Sequence, residues 1–214
     1  MRIRIGIDSG HGGDDPGAIG STLKEKDLTL EISKMIRDNL TSRSIDTFLT
    51  KEEDVTLPMR DRIALINKEN LTLCVSVHIN AFPSKTAHGY ETYHFPGSFE
   101  GRLLAQMVNA NFVDLDASDR GVKAERFDIL RFTNCPAILT ETLFISNPEE
   151  EGKLSIKENR VIIADAISDG IIGYLRSKGH EIPEPKKESD KNWDINVKCK
   201  CPSCGREYIY KSQR

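Results

Sequence analysis

The sequence predicts an α/β fold with a twisted, mostly parallel central sheet flanked by helices on both faces. Short apolar segments typical of strands alternate along the chain with amphipathic segments of helical period, which is the pattern of strands joined by crossover helices. The chain has 214 residues, enough to bury a full core, and 38% of them are hydrophobic. We therefore expect one enzyme-sized domain to form most of the molecule.

The first half of the chain is predicted to supply three strands and two helices. Strands are expected at about residues 3–8, 47–50 and 73–77, the last of them ending at His78. A helix is expected at 25–43, because apolar residues from Leu28 to Leu40 recur at three- and four-residue steps. A second helix is expected at 57–69, with Pro58 in a position suited to a first helical turn.

The second half repeats this alternation. A strand is predicted at 89–95, a helix at 98–112, and a strand pair at 127–131 and 137–142. Asn147 followed by Pro148 predicts the cap and first turn of a short helix. A capping-box pattern from Ser155 to Glu158 predicts the start of a long final helix, which Gly179 should end.

Three regions follow from this pattern. Residues 1–180 are predicted to form the catalytic domain, 181–192 a charged and proline-bearing linker, and 193–214 a small Cys-rich tail resembling a zinc knuckle. In the tail, Cys199, Cys201 and Cys204 are candidate ligands of a structural zinc ion. Such a site lacks a fourth ligand. Its sources are a second copy of the chain in a homodimer through the tail, His180, or none, and the alternative is three reduced surface thiols.

Composition also limits the partners. The net charge of -3 gives no reason to expect nucleic acid binding, and no apolar run approaches the roughly 20 residues that span a bilayer, so we expect no membrane insertion. The chain begins directly with an alternating strand rather than a signal-peptide pattern, which predicts synthesis in the cytoplasm without a signal peptide.

Four residues carry the chemistry. His11 follows the first predicted strand, His78 ends the central one, Glu141 lies near the end of 137–142, and Glu25 begins a helix. In open α/β sheets the carboxyl ends of the strands form the ligand site, so these side chains should meet. Two imidazoles and one carboxylate can hold zinc and leave its fourth position open for water, while a second carboxylate takes the proton. We therefore predict a zinc hydrolase.

The chain resembles the type-3 family of zinc N-acetylmuramoyl-L-alanine amidases over about residues 3–176. Four ordered segments carry the resemblance: Ile7-Asp8-Ser9-Gly10-His11-Gly12-Gly13 with Asp15-Pro16-Gly17-Ala18, then Glu25-Lys26-Asp27-Leu28, then Ser76-Val77-His78-Ile79-Asn80-Ala81, and finally the stretch from Pro136 to Glu150. The resemblance implies one zinc ion held by His11, Glu25 and His78, with Glu141 as the catalytic carboxylate.

The same resemblance implies a substrate and a place of action. The substrate would be peptidoglycan, cut at the amide between N-acetylmuramic acid and the L-alanine of its stem peptide, and the enzyme would act on the cell wall after release, as bacteriolytic endolysins do. Asn80 and Arg120 are predicted to contact substrate, although Asn80 could instead orient a ligand and Arg120 could lie in a solvated loop. Two alternatives remain open: a non-catalytic wall-binding or regulatory module, and a zinc peptidase acting on another amide.

Overall fold

The structure is a computed structural model that describes residues 3–185 and two further backbone segments, Ile195–Lys200 and Glu207–Ser212. The chain divides into two compact units, Met1–Pro183 and Glu184–Arg214. In the second unit the two backbone segments pair as an antiparallel two-stranded sheet. Most of the predicted linker lies outside the described residues, as do Cys201 and Cys204, and only the backbone of Cys199 is described.

The first unit alternates strands and helices along the chain. Its elements are β1 (Arg4–Ser9), α1 (Glu25–Ser42), β2 (Asp46–Leu49), α2 (Met59–Lys68), β3 (Leu73–Asn80), β4 (Tyr90–His94), α3 (Phe99–Asn109), a 3-10 helix (Phe112–Leu115), β5 (Asp119–Ala124), α4 (Asp128–Arg131), β6 (Ala137–Phe144), α5 (Pro148–Ser155) and α6 (Lys157–Ser177). No helix within the described residues is both long and apolar enough to cross a membrane.

The six strands of the first unit form one sheet in the order β2-β1-β3-β6-β4-β5. The pairs β1–β2, β1–β3, β3–β6 and β4–β5 are parallel, and β4–β6 is antiparallel. The mostly parallel sheet predicted from the sequence is therefore confirmed. The carboxyl ends of β1, β3 and β6 lie side by side, because these three strands are parallel neighbours.

Two separate hydrophobic clusters cover the two faces of this sheet. The larger contains buried residues of α1, α3 and α6, together with Val75 and Val77 of β3. The smaller contains buried residues of α2 and α4, together with Cys74 of the same strand. Alternate residues of a strand point to opposite faces, so β3 is covered on both sides. The prediction of helices on both faces is confirmed.

Several predicted elements are wrong. Residues 127–131 were predicted as a strand but form the short helix α4, in which the adjacent residues Ile129 and Leu130 are both buried against the smaller cluster. Strand β5 was not predicted. The capping box at Ser155 is also wrong, because Ser155 is the last residue of α5 and donates its hydroxyl to the carbonyl of Gly152. The Asn147 cap is confirmed, since its side chain accepts from the backbone N–H of Glu149.

Candidate active site

His11, Glu25 and His78 form a compact group at the carboxyl ends of the parallel strands, which we call the His–Glu–His cluster. His11 lies in the loop after β1, Glu25 is the first residue of α1, and His78 is in β3. Nε2 of His11 lies 3.2 Å from Oε2 of Glu25, and Nδ1 of His78 lies 2.9 Å from Oε1 of Glu25. One candidate ligand atom from each residue lies within 4.8 Å of the other two.

The Glu25 carboxylate is held from several sides. Its Oε2 accepts the backbone N–H of Ala18 at 2.8 Å, and its Oε1 accepts that of Ile79 at 3.1 Å. Burial disfavours the charged form, but the hydrogen bonds and charges of His11 and His78 outweigh it and hold the Glu25 pKa well below its usual range. Glu25 is therefore an anion fixed in position.

The His11 ring is oriented from its other nitrogen. Nδ1 of His11 lies 2.8 Å from Oδ2 of Asp15, the kind of outer carboxylate that fixes the ring orientation of a metal-ligating histidine. Burial opposes the charge on this ring, yet the hydrogen bonds and charges of Glu25 and Asp15 raise the His11 pKa above its ordinary value.

Two glycines leave the room that the cluster needs. A Cβ on Gly10 would lie 2.5 Å from the ring of His78, and a Cβ on Gly17 would lie 2.6 Å from both Oε2 of Glu25 and the ring of His11. Gly17 also has a φ of +64°, in the left-handed region that glycine adopts most easily. The glycines quoted in the sequence motif therefore let the loop backbone pass close to the two histidines.

Two buried cations hold the loop that carries His11, and sequence reasoning missed both. Lys51 donates to the carbonyl oxygens of Ser9 and His11, and Arg62 donates to the same two carbonyl oxygens at 3.0 and 2.6 Å. Burial, together with the neighbouring Arg62 charge, lowers the Lys51 pKa to about 8. Because His11 has a φ of +58°, these contacts fix a backbone conformation that a histidine rarely adopts.

The donor set fits a zinc ion. Ligand atoms about 2.0 to 2.2 Å from a tetrahedral zinc lie roughly 3.4 Å from one another. The two histidines lie 3.2 and 2.9 Å from different oxygens of Glu25, and one ligand atom from each residue lies within 4.8 Å of the other two. Within the described residues, Nε2 of His78 is buried without a hydrogen-bond partner, whereas its Nδ1 faces Oε1 of Glu25. Two imidazoles and one carboxylate are also the ligands of many catalytic zinc sites.

Glu141 lies beside the cluster. It is the register partner of His78 across β3 and β6, so the two side chains project from the same face of the sheet. Its Oε2 is buried and has no hydrogen-bond partner in the part of the chain that the structure describes. Burial, reinforced by the negative charges of Glu25 and Glu91, raises the Glu141 pKa well above its usual value.

Glu91 is the register partner of Glu141 on the other side, across β6 and β4. This buried carboxylate is surrounded by donors: Asn80 Nδ2 at 2.8 Å, Tyr93 Oη at 2.7 Å, Arg120 Nε at 2.9 Å and the Lys123 ammonium, and we call the five residues the Glu91 cluster. Burial alone would raise its pKa, but the hydrogen bonds, led by that of Lys123, lower the Glu91 pKa to about 2.

The structure brings the four predicted chemical residues together and places the other two candidates beside them. Both Asn80 and Arg120 donate to Glu91 rather than extending alone into solvent, and their contact with substrate stays a prediction. Sequence reasoning missed Glu91 itself. The available signal was a lone acidic residue in the strand Tyr90–His94, on the same side of the strand as Tyr93.

The fold and the cluster together describe an α/β protein with a candidate metal site at the carboxyl ends of its parallel strands. The sequence profile of the N-acetylmuramoyl-L-alanine amidase family matches residues 5–173. The chain is 36% identical over 172 residues to the uncharacterized protein YqiI of Bacillus subtilis, covering 78% of this chain and 82% of that protein. It is 35% identical to the endolysin of Bacillus phage SPP1, covering 89% of this chain and 73% of the endolysin.

Solved structures agree with these matches. The crystal structure of an N-acetylmuramoyl-L-alanine amidase from Clostridium difficile 630 superposes with a TM-score of 0.80 at 35% identity, covering 83% of this chain and 99% of that one. The catalytic domain of the amidase CwlV from Bacillus (Paenibacillus) polymyxa superposes with a TM-score of 0.78 at 29% identity, covering 82% and 99% of the two chains.

The chain belongs to the N-acetylmuramoyl-L-alanine amidase family. Its reaction is hydrolysis of the amide bond between N-acetylmuramic acid and L-alanine in peptidoglycan. The family, the fold and the reaction predicted from the sequence are confirmed.

Proposed function

We propose that this amidase depends on one zinc ion held by His11, Glu25 and His78, with Glu141 as the general acid–base and the cell wall as its place of action. One observation carries the proposal. Three potential ligands reach one point from a loop, a helix start and a strand. Next to them stands the Glu141 carboxyl group, whose Oε2 is buried without a hydrogen-bond partner among the described residues. Perturbed carboxyl groups in such positions are typical of catalytic sites.

Zinc, when bound, acts as a Lewis acid on water and on the scissile carbonyl. Glu141 accepts a proton from the attacking water and delivers it to the departing amine nitrogen, so that the amide and water become a lactyl carboxylate and a free L-alanine amino terminus. General acid–base catalysis of this kind contributes about 10²- to 10⁴-fold. The raised Glu141 pKa suits the task, since both protonation states are then accessible nearer to neutral pH.

The remaining residues of the site hold these groups in place. Asp15 fixes the His11 ring, and Lys51 and Arg62 fix the backbone on which that ring is carried. The backbone N–H groups of Ala18 and Ile79 fix the Glu25 carboxylate. Such preorganisation keeps the three ligands close to the positions that zinc requires.

The reaction is tested by digesting purified cell walls with the zinc-loaded protein and with its Glu141→Ala variant. New L-alanine amino termini and new reducing sugars are counted separately. We expect new amino termini without new reducing sugars, and we expect them to be lost in the variant. New reducing sugars alone, or equal release of amino termini by both proteins, would contradict the proposal.

The metal is tested by elemental analysis of the purified protein and two variants. His78→Ala is expected to hold one zinc equivalent less than the wild type, because it loses a ligand, whereas Glu141→Ala is expected to hold as much as the wild type. Equal zinc content in all three proteins would show that His78 is not a ligand.

Asn80 has a role that can be separated from the metal site. Its amide donates to Glu91, and its Oδ1 accepts the backbone N–H of Ala81. We propose that it supports substrate binding from this position. Asn80→Ala is then expected to lower turnover with the zinc content unchanged, and unchanged turnover would exclude the role.

We also propose that Cys199, Cys201 and Cys204 bind a structural zinc ion that a second copy of the chain completes. The spacing Cys201-Pro202-Ser203-Cys204 supports this, because it directs two thiolates at one metal. Cys204→Ser is expected to lower both the zinc content and the sedimentation coefficient of the full chain. A monomeric wild type would exclude the shared site.

A further inference from the structure

Beyond the His–Glu–His cluster, the site continues as a row of ionisable side chains across the sheet. His78, Glu141 and Glu91 are register partners on β3, β6 and β4, so all three project from one face. Arg120 and Lys123 of the edge strand β5 reach back to Glu91 and complete the row. Neighbouring strands lie about 4.8 Å apart, so the row extends roughly 14 Å from β3 to β5.

Arg120 and Lys123, the two cations at the end of this row, have N–H groups that form no hydrogen bond within the described residues. Arg120 uses Nε on Glu91 and Nη1 on the carbonyl of His88, and its Nη2 has no hydrogen-bond partner in the described part of the chain. The Lys123 ammonium donates to Glu91 alone among the described residues, which leaves two of its three N–H groups. Their side chains are 37% and 39% exposed, so a ligand can reach them.

Both cations are held in place before any ligand arrives. The Arg120 guanidinium lies over the ring of Phe144, 5.0 Å from its centroid, and the Lys123 ammonium lies 6.0 Å from the centroid of the Tyr93 ring. Their shared carboxylate is 5% exposed. An arginine fork that is already oriented loses little freedom when it binds a second carboxylate.

The charges of the Glu91 cluster do not balance. One carboxylate faces two cations, and its oxygens already accept from Asn80 and Tyr93 as well. An excess positive charge with free donors, beside a site that hydrolyses a peptide-linked amide, favours an anionic group on the substrate.

We propose that Arg120 and Lys123 form a subsite for a carboxylate on the peptide that follows L-alanine. The proposal rests on the proposed function, because it places the scissile amide at His78 and Glu141. Arg120 and Lys123 lean back toward Glu91, which is one strand spacing from Glu141 and two from His78. Glu91 therefore lies roughly 7 Å from an amide held between His78 and Glu141. A peptide advances about 3.5 Å per residue, so this carboxylate lies about two residues beyond the scissile bond, on the residue that follows L-alanine.

The test uses two synthetic muramyl dipeptides that differ at one group. The residue after L-alanine bears a free carboxylate in the first and a primary carboxamide in the second. Hydrolysis of both is measured with the zinc-loaded wild type, Arg120→Gln and Lys123→Gln. Arg102→Gln serves as the matched control, since it removes an exposed cation from α3, away from Glu91.

We expect the wild type to have the higher kcat/KM on the carboxylate substrate. Arg120→Gln and Lys123→Gln are each expected to lower that preference about 10- to 100-fold, through KM and not kcat, with zinc content unchanged. The control is expected to keep the wild-type preference. The carboxamide substrate monitors folding, because a misfolded variant would lose activity on both substrates.

Three results would overturn the subsite. They are a wild type without preference for the carboxylate, variants that keep the wild-type melting temperature and zinc content yet lose activity equally on both substrates, and an effect on kcat alone. Hydrolysis of neither dipeptide by the wild type, together with no release of L-alanine termini from whole walls, would instead overturn the proposed function and the subsite with it.

Discussion

Glu141 and Glu91 are paired directly across β6 and β4, yet their environments shift their pKa values in opposite directions. Glu141 has a buried oxygen without a hydrogen-bond partner in the described residues, and its pKa is raised. Glu91 has four donors, two of them cations, and its pKa is lowered to about 2. Loss of solvent raises both pKa values, so the hydrogen-bond donors around Glu91 account for the opposite direction of its shift.

The position of each residue in the sheet explains the difference. Glu141 lies on the strand between Glu91 and the Glu25 side of the site, where two negative charges already disfavour a third. Glu91 lies next to the edge strand, from which Arg120 and Lys123 reach it. One carboxyl group is thereby suited to exchange a proton, and the other stays ionised and orients its neighbours.

The largest effect is expected from replacing Glu141, the proposed general acid–base. Glu141→Gln keeps the shape of the side chain but cannot transfer a proton, so kcat should fall about 10²- to 10⁴-fold. Zinc content should be unchanged, and the melting temperature should not fall, because a neutral amide replaces a carboxyl group without a full set of partners. Turnover within about tenfold of the wild type would show that another group transfers the proton.

The His–Glu–His cluster can be disturbed without changing Glu91 or its donors. Gly17→Ala places a Cβ 2.6 Å from Glu25 and His11 and adds the strain of a φ of +64°. We expect at least a roughly tenfold loss of zinc affinity in chelator competition, as for other disturbances of the groups that orient metal ligands.

Gly97→Ala is the matched control for this change. Gly97 has a φ of +85°, but a Cβ there has no atom within 4 Å. It therefore reproduces the backbone strain without the collision and should keep its zinc affinity. An equal loss in both variants would show that strain, rather than contact with the cluster, weakens the site.

A smaller effect, on the free energy of unfolding, is expected from neutralising the Glu91 carboxylate. Glu91→Gln leaves Arg120 and Lys123 without their shared charge, and since both cations are more than a third exposed, the loss of unfolding free energy should be limited to about 1 to 2 kcal/mol. Urea unfolding measures it, with exposed Glu149→Gln as the control. A difference below about 0.3 kcal/mol would mean that the cluster adds little to stability.

The smallest effect is the pH dependence of the difference in unfolding free energy between the wild type and Glu91→Gln. A carboxyl group whose folded pKa is depressed stabilises the fold above its unfolded pKa, and this stabilisation is lost as the pH falls through the folded value. The gap between wild type and Glu91→Gln should therefore stay constant from pH 7 to about 5 and shrink between about 4.5 and 2. A gap that narrows only above pH 5 would contradict the assignment.

The sequence predicted the part of the site that depends on local motifs. Glu25 begins α1, His11 follows β1, and His78 and Glu141 lie in the second halves of β3 and β6. The hydrophobic patterns of these elements are clear, and parallel strands bring their carboxyl-terminal parts to one edge. Glu91, Lys51 and Arg62 could not be found this way. Their hydrogen-bond partners are distant in sequence. Whether these side chains reach the site depends on how the elements pack and on the register between strands, which periodicity alone does not give.

The missed elements have physical causes too. Strand β5, Asp119–Ala124, is a polar edge strand with Gly121 inside it, so it lacks the alternation that indicates a strand. The segment 127–131 contains alternating apolar residues, yet it is too short for periodicity to separate a strand from one helical turn.

The opposite pKa shifts of Glu141 and Glu91 are tested most directly by carbon NMR of metal-free protein labelled at the glutamate carboxyl carbons. Glu141→Gln and Glu91→Gln assign the two resonances, and each is followed through a pH titration. We expect Glu141 to titrate above its ordinary value near 4.5 and Glu91 to remain ionised down to about pH 2. If the pKa values of both groups lay above 4.5, or both below it, the opposite shifts of Glu141 and Glu91 would be contradicted.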